Sequence, residues 1–162
     1  MKSLEIPALI FEVWRADHIA LRRSKGYKYA LVLIDSLSVF CILLSAKTAG
    51  AEETANLLYH NLFMLFGARV FLTDRGSAFR SKLVKALCSL LGTTQVFTLF
   101  RHPQTNSRAE SFNKNILNSL RTTCNLEQNW PDLLFLIAFS FRTAVVKSIG
   151  ISPFEIVFGV KH

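Results

Sequence analysis

Three acids stand where acids are costly. Asp17 lies in the aromatic and β-branched stretch FEVWRADHIA at 11–20. Asp74 closes the apolar run ARVFLTD at 68–74, and Glu110 falls at the end of RHPQTNSRAE, where a helix begins. Singly, each has a plain explanation. An Asp at a strand end is usually a turn former or cap, and a Glu in a first helical turn is favoured by the helix dipole. As a set they allow more. Carboxylates from two strands and one helix can meet in one cleft, where they repel one another unless a divalent cation neutralises them. Few, hard oxygen ligands suit Mg²⁺ or Mn²⁺, which keep water positions open for substrate oxygens. Other catalytic devices do not occur in the sequence. His18, His60, His102 and His162 show no HxxxH or HExxH spacing, and Cys41, Cys88 and Cys124 form no CxxC pair. A zinc site and a disulfide framework are therefore both disfavoured.

The elements that must position these acids can be read from the apolar periodicity. After the strand at 11–20, LRRSKG at 21–26 reads as a turn, and the apolar run at 27–46, broken at Asp35-Ser36, reads as two strands joined tightly. Asp35 itself is expected to be a structural turn residue. Ala55, Leu58, Leu62 and Leu65 recur at helical spacing in the segment that Gly67 closes. A strand at 68–74, a helix at 81–92, a strand at 93–100 and a helix from about 107 to 123 follow. The segment WPDLLFLIAFSFRTAVV and the short SPFEIVFG, capped by Ser152 with Pro153 behind it, complete the order. Three strands followed by strands alternating with helices give an α/β fold: a five-stranded mixed sheet with helices on both faces. Sites in such sheets gather at the carboxyl ends of strands.

Composition narrows the partners. The 162 residues are 51% hydrophobic and 19% charged, which excludes disorder and fits one domain. We divide the chain into an N-terminal extension, 1–10, and a core, 11–162. A net charge of +8 suits a polyanion, nucleic acid foremost, or an anionic membrane surface. LLFLIAFSF at 133–141 is too short to span a bilayer and ends at Arg142, so no membrane is expected. Fourteen Phe and a mean hydropathy of +0.31 suggest a large core or apolar surface that meets a partner.

Three motifs carry a resemblance. Trp14-x-x-Asp17, FLTDRGSAF around Asp74 and HPQTNSRAESFN around Glu110 resemble the catalytic core of the integrases of retroviruses and long-terminal-repeat retrotransposons. The 35 residues between Asp74 and Glu110 match that family's D,D-35-E spacing. HPQTN and SIGISPFEIVFG suggest the Ty3/Gypsy-like group, and the likeness runs over about residues 11–160. It implies a ribonuclease H-like fold and a Mg²⁺-dependent polynucleotidyl transferase that trims a DNA end and joins it to target DNA. Asp17, Asp74 and Glu110 would be the catalytic residues and would hold two Mg²⁺ or Mn²⁺ ions.

It further implies double-stranded DNA as partner, assembly as a homo-oligomer (a dimer or higher), and a nuclear location reached through the cytoplasm. For DNA contacts, His102, Gln104 and Asn106 lie in the loop before the third acid, and Arg75 follows the second. Asn113, Lys114 and Arg121 share the helix face of Glu110, a pattern that also fits a solvated face. Ala20-Leu21, Ser107, Phe139-Ser140 and Lys147 depart from the family pattern. A second reading follows from those departures: a degenerate or domesticated, non-catalytic module that holds DNA or protein. A ribonuclease H-type nuclease would bring further acids to the cleft, and the 35-residue spacing argues against it.

Overall fold

Ala30 to Ile34, an unbroken apolar run, is 0–1% exposed at every residue. A strand can be buried on both sides only if layers cover both faces of its sheet, and that is the architecture found. The computed structural model describes residues 7–98, 107–126 and 129–161, and of residues 107–110, 113 and 124–126 it describes the backbone alone. Five strands form one sheet: β1 (Val13–Ser24), β2 (Tyr27–Asp35), β3 (Cys41–Ala46), β4 (Val70–Thr73) and β5 (Thr94–Phe97). Their order is β3-β2-β1-β4-β5. The β1–β2 and β2–β3 pairs are antiparallel, and β1–β4 and β4–β5 are parallel. The helices are α1 (Ala51–Leu58, continued by a π-turn at Tyr59–Phe63), α2 (Lys82–Leu90), α3 (Ser107–Leu126), α4 (Trp130–Thr143) and α5 (Pro153–Phe158).

Strand alternation sorts the core into two layers. Trp14, Ala16, Leu31, Leu33 and Phe71 meet Leu58 and Leu62 of the first helical segment and Val84 and Cys88 of α2. Ile19, Leu21, Val32 and Ile34 meet Ile116 and Leu120 of α3 and Trp130, Leu134 and Ala138 of α4. Asp17 shares the parity of Ile19 and Leu21 along β1, so its side chain belongs to the α3 face. Phe135, Leu136 and Phe139 leave an apolar stripe of α4 exposed. Among the described residues no helix is long and apolar enough to cross a membrane.

Two local expectations change. LRRSKG is mostly strand: β1 runs to Ser24, and only Lys25-Gly26 turn, at φ +50° and +85°. Positive φ at both central residues is what a two-residue hairpin needs to match the strand twist. The Asp35-Ser36 junction is not tight but a loop over 36–40. Asp35 organises it, accepting hydrogen bonds from Phe11 N at 2.9 Å, Ser38 N at 2.8 Å and Ser38 Oγ at 2.6 Å. Those bonds satisfy a fully buried carboxylate, and Asp35 is thus the structural residue expected of it.

Candidate active site

The parallel register of β1 and β4 brings two of the acids together. Trp14 pairs with Phe71, Arg15 with Leu72 and Ala16 with Thr73. One step further along both strands stand Asp17 and Asp74, which parity places on the same face. They line one cleft of about 90 Å³ with Arg15, Val32, Ile34 and Thr98. The cleft opens at the carboxyl end of β4, where a mixed sheet leaves room for a ligand.

Each carboxylate is held. The backbone N–H of His18 donates to Asp17. Gly76 N donates to Asp74 Oδ1 at 2.9 Å, so the chain folds back over the acid. A Cβ at residue 76 would stand 2.9 Å from that same oxygen, so a larger residue there would push the carboxylate aside. Thr98 ties β5 in by donating from N (2.8 Å) and Oγ1 (3.1 Å) to Thr73 O.

The electrostatics are those of a crowded anionic site. Burial, reinforced by the charge of Asp74, pushes the Asp17 carboxyl up to about 6; the His18 N–H and the positive charge of Arg121 oppose that rise. Asp17 is therefore an acid whose ionised form lacks compensation. A divalent cation between Asp17 and Asp74 would supply it, and two hard oxygen donors beside an open cleft fit Mg²⁺ or Mn²⁺. Among the described residues no three His, Cys, Asp or Glu gather around one point. The third donor expected, Glu110, lies in the first turn of α3, but its side chain is outside the described residues.

Arg75 is exposed directly after Asp74. Lys114 and Arg121 are exposed on α3, and Arg121 faces the site closely enough to act on Asp17. At 1.5 Å rise per residue, Glu110 and Arg121 are roughly 16 Å apart along the helix, at opposite ends of this face. His102, Gln104 and Asn106 lie outside the described residues, as does the side chain of Asn113.

Three residues at or beside the cleft escaped the sequence reading. Arg15 could have been found by counting back two from Asp17, since strand neighbours at that spacing share a face. Gly76 carried a signal in Asp-x-Gly, a frequent chain reversal. Thr98 carried none, because its place depends on how β5 pairs. His18 points to the other face, 3.2 Å from Thr54 Oγ1 and tilted against Phe79 with ring centres 4.9 Å apart; burial lowers its pKa while Asp74 and Glu53 act against that. The described cysteines offer no nucleophile: burial pushes the Cys41 thiol up to about 12 and the Cys88 thiol to about 11.

Comparison with known proteins gives a consistent picture. Residues 10–103 match the integrase core domain family. The Gag-Pol polyprotein of avian reticuloendotheliosis virus is 29% identical over 153 residues, 93% of this chain and 13% of that protein. The Tf2-3 transposon polyprotein of Schizosaccharomyces pombe is 30% identical over 141 residues, 85% of this chain and 11% of that protein. The chain thus spans about an eighth of the curated relatives it matches. Among solved structures, the catalytic core domain of BIV integrase superposes with a TM-score of 0.74 at 18% identity, covering 90% of this chain and 93% of that one. That likeness, with the five-stranded mixed sheet, shows the ribonuclease H-like fold.

Proposed function

The chain belongs to the integrase core domain family, and from that membership we propose that it is the catalytic core of a retroviral or retrotransposon integrase. It would trim a DNA 3′ end and join it to target duplex. The observation that carries this reading is the juxtaposition of Asp17 and Asp74, one step beyond the last β1–β4 pair, in a cleft where burial and like charge leave the two short of a cation. Asp17, Asp74 and Glu110 would hold Mg²⁺ or Mn²⁺, two ions in all. When bound, such ions activate the attacking oxygen and offset charge on the leaving oxygen of an in-line displacement at phosphorus.

The chain's own residues supply position and charge. Gly76 N fixes one oxygen of Asp74, which lines the cleft. Arg121 brings a positive charge to the site and Arg75 lies beside it, both suited to phosphate oxygens. His102, Gln104, Asn106, Asn113 and Lys114 complete the proposed DNA contacts. The working form would be a homo-oligomer acting in the nucleus, its core running over residues 11–162 after an extension of residues 1–10.

A short duplex end incubated with the chain in Mn²⁺ tests the proposal. Joining of the end to a second duplex supports an integrase; strand cleavage alone would indicate a nuclease. Duplex binding without chemistry would indicate a non-catalytic module.

A further inference from the structure

The β1–β2 hairpin carries the densest positive charge of the described chain, in a place the cleft does not account for. β1 stops pairing with β4 at Ala16 yet runs on to Ser24, so the hairpin projects past the carboxyl end of β4, the side on which Asp74 stands. The projection is not a regular ribbon. Ala20 pairs with Tyr29 and Ser24 with Tyr27, which sets three residues of β1 against the single residue Lys28. A bulge of this kind re-aims side chains. Here Leu21 turns into the core while its successors Arg22 and Arg23 are both exposed, breaking the alternation. Lys28, opposite them, is exposed too.

The backbone beneath these cations is fixed. Trp130, fully buried at the start of α4, donates from Nε1 to Arg22 O at 2.7 Å. Lys25 forms an ion pair with Asp132, two residues beyond Trp130. Among the described residues no carboxylate pairs with Arg22, Arg23 or Lys28. Lys28 Nζ lies over the Tyr29 ring, 5.6 Å from its centre, but three like charges with no carboxylate beside them on an anchored bulge still repel one another, which is the pattern of a surface built for a polyanion.

We infer that Arg22, Arg23 and Lys28 form a second contact for the phosphate backbone of duplex DNA, remote from the reacting end. The inference rests on the integrase reading for the position of that end. Strand rise of about 3.3 Å per residue puts Arg22 and Arg23 roughly 17–20 Å from Asp17. With phosphates about every 3.4 Å along each strand, that distance is about five or six base pairs of duplex. A double helix whose end is seated at Asp17 and Asp74 passes over the hairpin at that separation, so the hairpin would measure duplex rather than read sequence.

The test is fluorescence anisotropy in EDTA with a loop-closed stem of about 4 base pairs and a duplex of about 20, lengths that bracket the span. The variant is Arg22→Gln/Arg23→Gln/Lys28→Gln. Arg80→Gln/Lys82→Gln/Lys85→Gln removes the same charge from around α2 as a control. The hairpin variant is expected to melt with the wild type, since its three side chains are exposed. Its log K against log salt slope should shrink by about 3, one for each phosphate no longer neutralised, and its preference for the longer duplex should vanish. The control should keep both slope and preference.

Equal losses in the two variants, an unchanged slope in the hairpin variant, no duplex binding by the wild type, or hairpin-dependent binding to phosphatidylserine vesicles alone would each overturn the inference. Binding in EDTA does not depend on the carboxylate chemistry. Hairpin-dependent binding without strand joining would therefore sink the catalytic reading and leave this one, and joining that ignores the hairpin would do the reverse.

Discussion

Removing the charge of Asp17 should stabilise the metal-free protein at neutral pH. Its folded pKa of about 6 lies above the ordinary 3.8, because burial and Asp74 both oppose ionisation. The folded state therefore binds the proton more tightly than the unfolded chain does, and stability from this group falls as pH rises through that interval. Below about pH 4 both states are protonated and the penalty vanishes; above about pH 6 it is complete. Two units at about 1.36 kcal/mol each would be about 3 kcal/mol. Solvent still reaches this half-buried carboxyl, so about half of that, roughly 1.5 kcal/mol, is the realistic figure.

For a domain of this size that corresponds to about 3–6 °C in Tm. Asp17→Asn keeps the acceptor for the His18 N–H and removes the charge. Thermal melts in EDTA at about pH 8 should show the variant above the wild type by that margin, and at about pH 4 the two should converge. A variant that melts with the wild type at both pH values, or a gap that persists unchanged in acid, would refute the idea that Asp17 is ionised at a cost.

Mg²⁺ should raise the wild-type Tm, by about 2.7 kcal/mol of stability at roughly a hundred times its dissociation constant; Asp74→Asn should lose most of that rise, and a full response in the variant would place the ion elsewhere. Gly76→Ala, whose Cβ would stand 2.9 Å from Asp74 Oδ1, should leave Tm nearly unchanged. It should weaken Mg²⁺ binding about tenfold by turning the carboxylate aside, as calorimetry would show; unchanged affinity would contradict the positioning role. Asp35→Ala orphans the N–H groups of Phe11 and Ser38 and should cost about 3 kcal/mol, or about 6–12 °C in Tm. A loss below about a degree would mean that water replaces the carboxylate there.

What can be read in advance is what depends on periodicity and short motifs. The buried run at 30–34, the helical spacing through Leu58 and Leu62, and the Ser152-Pro153 cap all produce the elements expected, because their signals are local. Asp17 and Asp74 can be singled out as acids in apolar settings, but that they stand side by side is a matter of parallel register, which no local pattern encodes. The hairpin departs from expectation for a related reason. Polar residues at 21–26 look like a turn, yet Leu21 and Ser24 are buried and Trp130, over a hundred residues away, holds the bulge in strand form. Thr98 enters the cleft only because β5 pairs with β4. Tertiary partners, not propensity, decide each of these.

Strand joining by Glu110→Gln tests the central claim most directly. The substitution keeps size and helical propensity in the first turn of α3 and removes one charge. Purified wild type and variant would be given a pre-trimmed duplex end and a target duplex in Mn²⁺, with joined strands resolved on a denaturing gel. The three-carboxylate account predicts joined product from the wild type and none from Glu110→Gln, at matching Tm and equal or slightly tighter duplex binding, since one repulsion with phosphate is gone. Joining by Glu110→Gln at the wild-type rate would contradict it, and so would a folded, duplex-binding wild type that joins nothing.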